Sequence, residues 1–214
     1  MPVVTVAFEY GIPGHLIAEL LARQMKAELF DRSLAMTVAH RMEVPVEWIL
    51  AAEEHPDNLL QRALLRLADA AAGVPPESAE FTNQVAVPRE RILQLTQEVI
   101  RQAVVEFRNI VIAGRGAAFV LRDQPDAIHV LLRADDQARR QMLADELAIR
   151  AVDAARLLKR GSADQAAFFK WAYGRPLQDP TAYHLVLDIG REGRIAAIEA
   201  ILAYSRGVRS DPGC

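Results

Sequence analysis

Two glycine-bearing turns and a group of arginines hold most of the chemistry in this sequence. Gly11, Pro13 and Gly14 follow the apolar run Val3–Phe8 and lead into a helical stretch. A strand, a glycine turn and a helix N-terminus together can present backbone N–H groups to phosphate oxygens. The second turn, Gly114-Arg115-Gly116, follows the apolar run 109–113. Its glycines let backbone approach a ligand closely, and Arg115 adds a forked donor for phosphate. Asp31 and Arg32 follow Leu29-Phe30. Arg32 can hold a phosphate or a base edge and Asp31 can orient it; equally, Asp31 can serve as the N-cap of a helix. Arg133, Arg139 and Arg140 stand after the run 128–132. Such cations can hold an anionic ligand, or they form a charged helix face balanced by Asp135, Asp136 and Asp145. The common theme is phosphate recognition.

The first turn departs from a working phosphate loop. That signature ends Gly-Lys-Ser/Thr, and here the nearest lysine is Lys26 while Leu16 stands at the hydroxyl position. Pro13 has no N–H to donate, and Glu9 opposes phosphate by its charge. His15 is the basic side chain nearest the turn. The five histidines show no metal-binding spacing and the only cysteine is Cys214, so no metal site is expected from these residues. Trp48 and Trp171 read as packing residues.

These turns need elements to carry them. Short apolar runs at 3–8, 29–30, 109–113, 128–132 and 185–189 read as buried strands. Between them, apolar residues recur at helical spacing over 15–25, 33–40, 58–72, 88–107, 135–147, 152–160, 166–173 and 192–204. Strands alternating with helices predict an α/β protein with a parallel five-stranded sheet covered on both faces. Ligands of such sheets sit at the carboxyl ends of the strands, where both turns fall. The 214 residues suit a single domain, with a core at about 1–43 and 88–204, a helical insert at about 44–87, a lid at about 140–180 and a frayed tail at 205–214.

Composition excludes several classes. Hydrophobic content of 51% and charged content of 25% are ordinary for a globular protein. A net charge of -3 gives no broad electrostatic case for nucleic acid, leaving only a local basic groove. No apolar run reaches the ~18–20 residues needed to span a bilayer, and the opening residues do not resemble a signal peptide. A cytoplasmic location is expected, with no membrane or nucleic-acid partner. The oligomeric state is not legible.

The ordered motifs resemble the cytidylate kinase-like family. Val4 to Ala18, through Glu9, Gly11, Gly14 and His15, resembles that family's strand and phosphate loop. Phe30-Asp31-Arg32 resembles its Tyr-Asp-Arg. Asn109 to Ala117 resembles its second strand and Gly-Arg-Gly turn. Arg139 resembles its lid arginine, and Ala166-Ala167-Phe168 with Tyr173-Gly174, Asp179 and Tyr183 its closing lid segment. The resemblance implies a three-layer α/β/α nucleoside-monophosphate kinase fold. It implies phosphoryl transfer from ATP with Mg²⁺ where the protein is active. It also implies nucleotide binding at Glu9, Gly11, Gly14, His15, Asp31, Arg32, Arg115 and Arg133, with Arg115 and Arg139 catalytic. Gln165 stands where the family has a lid arginine. Three readings stay open: a nucleotide-binding protein with weak or no transfer, an active CMP-type kinase, and a protein-interaction domain.

Overall fold

The computed structural model describes residues 3–42, Val46 and 89–210. Strand β1 (Val3–Phe8) lies at the centre of a five-stranded sheet, whose other members are β2 (Glu28–Phe30), β3 (Ile110–Ala113), β4 (Ala127–Arg133) and β5 (Leu185–Asp188). The order is β2-β3-β1-β4-β5 and every pairing is parallel. Parallel neighbours require crossovers, which the helices supply. These are α1 (Gly14–Met25), α2 (Arg32–Met42), α3 (Arg89–Glu106), α4 (Ala117–Val120), α5 (Asp136–Leu147), α6 (Ala151–Tyr173) and α7 (Ile189–Ser210).

A strand's side chains alternate between faces, and β1 uses both. Val4 and Val6 pack with Val111, Val130 and Leu132 beneath Ile17 and Leu21 of α1 and Ile198 and Ile201 of α7. Val3, with Ile110 and Ile112, packs beneath Leu34 and Val38 of α2 and Ile92, Val99 and Ile100 of α3. A third cluster gathers Ala7, Leu131, Phe169 and Leu177, with Phe119, Tyr173 and Tyr183 packed against it. The result is the expected three-layer α/β/α sheet, with strand limits within one residue of those read from the sequence.

Helix α6 is the main departure. The sequence suggests two helices, 152–160 and 166–173. The chain instead runs as one 23-residue helix. Gly161 lies within it, and its missing Cβ makes room for Tyr10: a Cβ there would lie 2.3 Å from the Tyr10 ring. Helix α7 likewise runs to Ser210, with a break at Gly193 (φ 80°), so residues 205–210 are helical and not a frayed tail. Residues 211–214, the expected helix 58–72 and nearly all of the expected insert 44–87 lie outside the described residues. The four-residue α4 is too short for periodicity to reveal.

One polar pair is buried inside the sheet. Thr5 and His129 face each other across β1 and β4, and each is almost wholly inaccessible. Thr5 Oγ1 is 2.8 Å from His129 Nδ1, and His129 Nε2 is 3.2 Å from the Leu121 carbonyl. A carbonyl can only accept, so Nε2 carries the proton and Nδ1 accepts from the hydroxyl. Burial pulls His129 down from 6.5 to about 4; the nearby His184 adds to this and the Leu121 carbonyl opposes it. The folded value lies below the unfolded one, so between these limits only the unfolded chain takes up the proton. Stability is then unaffected by this group above pH 6.5 and falls as pH drops towards 4, by up to about 3 kcal/mol. Urea unfolding measured across that window should show this loss. His129→Gln, which keeps a hydrogen-bonding group without the titration, should flatten the profile, and an unchanged slope in the variant would exclude His129 as its source.

Candidate functional site

The carboxyl ends of β1 and β3 open into a cavity of about 560 Å³, within the range of small-molecule sites. Its floor is Ala7, Phe8 and Tyr10 at the end of β1 and just beyond it, and Ala113, Gly114 and Arg115 at the end of β3 and just beyond it. Asp31 closes one side. Helix α3 contributes Arg89, Ile92 and Thr96, while α6 contributes Leu157, Arg160, Asp164, Gln165, Phe168 and Trp171. Three arginines and two aspartates line it among apolar and aromatic side chains, with Arg160 and Asp164 3.8 Å apart as an ion pair along α6. That combination suits an anionic ligand with a flat apolar part. At the mouth, the Arg89 guanidinium lies 4.0 Å from the Trp171 ring centroid, a cation–π contact that ties α3 to α6.

Arg115 is held in this cavity by its backbone. Gly114, Arg115 and Gly116 have φ of 70°, 54° and 68°, the left-handed region. For arginine this conformation costs about 1–2 kcal/mol, so the surroundings must impose it. Tyr173 does so. Its hydroxyl donates to the Arg115 carbonyl at 3.0 Å, and its ring lies where a Gly116 Cβ would be, 2.3 Å away. Phe119 stacks on that ring at 5.1 Å between centroids.

The turn after β1 is covered by protein. The Tyr10 N–H donates to Gln165 Oε1 at 3.0 Å, and Gln165 Nε2 donates to the Phe8 carbonyl at 3.1 Å. Arg139 Nη1 donates to the Tyr10 carbonyl at 3.2 Å and to Ser162 Oγ at 3.3 Å. The Ile12 and Gly14 N–H groups turn inward to the carbonyls of Glu9 and Ile12. Above Gly11, a Cβ would meet Leu158 Cδ1 at 2.9 Å and the Arg139 carbonyl at 3.1 Å.

The predicted site residues therefore separate into groups. Asp31 and Arg115 line the cavity. Glu9 is buried: its carboxylate accepts the Ala134 N–H at 3.2 Å and the Gln178 side-chain amide at 3.1 Å, and lies 3.9 Å from Arg139 Nε. Arg139 borders a second opening between α5 and α6, beside Arg140 and Lys159. Glu9 and Arg139 thus meet each other and do not line the first cavity. Gly11 and Gly14 shape the turn, Gly14 lying against the Phe8 ring. His15 Nε2 is 3.6 Å from Glu146 Oε1 on α5. Arg133 ends β4 on the exposed surface. Arg32 begins α2, and its side chain lies outside the described ones.

Sequence reasoning missed Arg89, Arg160, Asp164 and Trp171 and read Gln165 only as a lost charge. A signal was present, since 157, 161, 164, 165 and 168 recur at helical spacing. It becomes visible once 151–173 is read as one helix. Among the described residues, no group of three His, Cys, Asp or Glu side chains could hold a metal ion, and no helix is long and apolar enough to cross a membrane.

The profile of the cytidylate kinase-like family matches residues 3–191. No curated protein matches by sequence. Among solved structures, an uncharacterized protein from Eubacterium ventriosum superposes with a TM-score of 0.67 at 17% identity, covering 96% of this chain and 99% of that one. A shikimate kinase from Bacteroides thetaiotaomicron superposes with a TM-score of 0.54 at 11% identity, covering 96% and 98%. At these identities the structural likeness speaks to the fold.

The Arg115 turn can be tested with two glycines of similar backbone but different surroundings. Gly174 has φ +66° with nothing near its virtual Cβ, whereas Gly116 has φ +68° and the Tyr173 ring in the way. Gly174→Ala should cost about 1 kcal/mol in urea unfolding. Gly116→Ala should cost about 2–4 kcal/mol, since overpacking adds to the strain. Equal costs would mean that Tyr173 does not pin the turn.

Proposed function

Because this chain belongs to the cytidylate kinase-like family, we propose that it is a nucleotide-binding protein whose cavity takes a CMP-like nucleoside monophosphate and whose phosphoryl transfer is weak or absent. The observation that carries the reading is Arg115, fixed in a left-handed turn at the floor of a cavity that also holds Arg89, Arg160, Asp31 and an aromatic wall. In this reading Arg115 receives the phosphate in forked geometry. Asp31 accepts from a donor on the sugar or base, and the face of Phe168 packs on the flat ring. Leu157 and Ile92 exclude water around it.

The residues of the β1 turn do not fit a Mg²⁺–triphosphate. The N–H groups of Tyr10, Ile12 and Gly14 already have protein partners, and the Arg139 carbonyl approaches Gly11 where phosphate oxygens would need donors. Leu16 offers no hydroxyl and the turn has no lysine. His15 and Arg139, the cations that could substitute, face Glu146, Glu9 and Asp136. Loss of one preorganised donor typically costs ~10²–10³ in rate, and here several are missing together.

Thermal unfolding with a panel of nucleoside mono-, di- and triphosphates, with and without Mg²⁺, tests the reading. CMP at about 100-fold excess over its dissociation constant should stabilise by about 2.7 kcal/mol. Arg115→Ala should weaken that binding by about 10–100-fold, with little change in the melting temperature of the free protein. CDP formation from CMP and ATP should fall far below the ~1–100 s⁻¹ of working kinases. Rapid CDP formation abolished by Arg115→Ala would establish an active kinase instead. Silence towards every nucleotide would favour a protein-interaction role.

A further inference from the structure

We infer that the turn after β1 is an intramolecular docking site for α5 and α6, with the Gln165 side chain acting as a latch in the place an external phosphate would take. The latch goes beyond the nucleotide reading above and involves protein atoms alone.

The argument begins with hydrogen-bond inventory. Phe8 presents a carbonyl and Tyr10 an N–H towards α6, and both are partly buried. Partnering both from one side chain needs an acceptor and a donor on the same planar group, spaced like a peptide. A carboxamide has this pair; an arginine has donors only, and a glutamate at neutral pH has acceptors only. Gln165 meets the requirement, accepting from Tyr10 at 3.0 Å and donating to Phe8 at 3.1 Å. Its replacement of a lid arginine, which looks like decay when charge is counted, is therefore the substitution that lets α6 close on the turn without any ligand.

Three further contacts point the same way. Gly161, one turn before Gln165, leaves room for the Tyr10 ring. Leu158 and the Arg139 carbonyl occupy the space above Gly11. Arg139 holds the Tyr10 carbonyl and, at its other nitrogen, Asp136 at 2.6 Å. An arginine serving backbone and carboxylate acceptors is already engaged where a polyphosphate would need it. Tyr10 thus has its N–H, its carbonyl and its ring all seated on α5 and α6.

Amide hydrogen exchange of the full-length protein tests the latch in two ways. In the first, wild-type protein is measured with inorganic tripolyphosphate and with ATP–Mg²⁺. Exchange at the amides of residues 10, 11, 12 and 14 should not change; saturable slowing there would show that the turn binds an external polyphosphate and overturn the inference. In the second, Gln165→Ala should raise exchange at the Tyr10 amide by about tenfold, the factor corresponding to one lost hydrogen bond, while amides of β3 keep their protection. Gln165→Arg should do the same, because it retains donors but cannot accept from Tyr10. If both variants leave Tyr10 exchange unchanged, the latch is wrong. Should one variant fold poorly, the other and the wild-type measurement still decide. Neither measurement uses CMP, so failure of the nucleotide reading and failure of the latch are separately visible.

Discussion

Buried backbone N–H and C=O groups must be paired, at a cost of about 1–3 kcal/mol for each one left without a partner. That constraint governs the carboxyl edge of this sheet. The chain leaving β1 passes under α5 and α6, and its polar groups are met by Gln165, Arg139 and its own neighbouring carbonyls. Once the turn is held in this way, α6 is fixed along its length, and with it the wall of the cavity that contains Arg160, Asp164, Phe168 and Trp171. The arginine turn after β3 depends on the same helix, because Tyr173 near the end of α6 pins Arg115. A single helix thus organises both glycine turns.

The two turns differ in what surrounds their glycines. After β3, strained backbone is maintained at a cost in stability, with an arginine held in a cavity of ligand size. Strain that the surroundings impose at such a position is a pointer to function. After β1, the glycines remain, but their open space is filled by Leu158 and the Arg139 carbonyl. Glycine at position 11 permits this close packing of the helices. Glu9 follows the same pattern: its carboxylate joins β1 to β4 and to Gln178, so it works as a structural fastener between elements.

Burial of Glu9, Thr5 and His129 within or beside the sheet also distinguishes this core from a purely apolar one. Each is accommodated because a specific partner stands opposite: Ala134 and Gln178 for Glu9, and the hydroxyl–imidazole pair across β1 and β4. Such pairs specify register, since a one-residue slip between the strands would separate them.

Much of the fold was legible in the sequence. The five apolar runs, their alternation with helical periodicity and the placement of glycine turns after strands determine a parallel α/β sheet with its ligand edge, because side-chain period and burial are local properties of the chain. Asp31 and Arg115 were legible as cavity residues for the same reason, since they directly follow strands. What only the tertiary structure decided is which face each later side chain serves. Gly161 falls in the gap between the two helices read from the sequence and becomes a seat for Tyr10 only when the loop after β1 lies against it. Gln165 reads as a missing charge and becomes a paired donor and acceptor only beside Phe8 and Tyr10. Arg139 and Glu9 read as members of the ligand cleft, and the packing of α5 turned them towards each other. Hydrogen-bond pairing between distant segments is set by the three-dimensional meeting of elements, and no local period in the sequence encodes it.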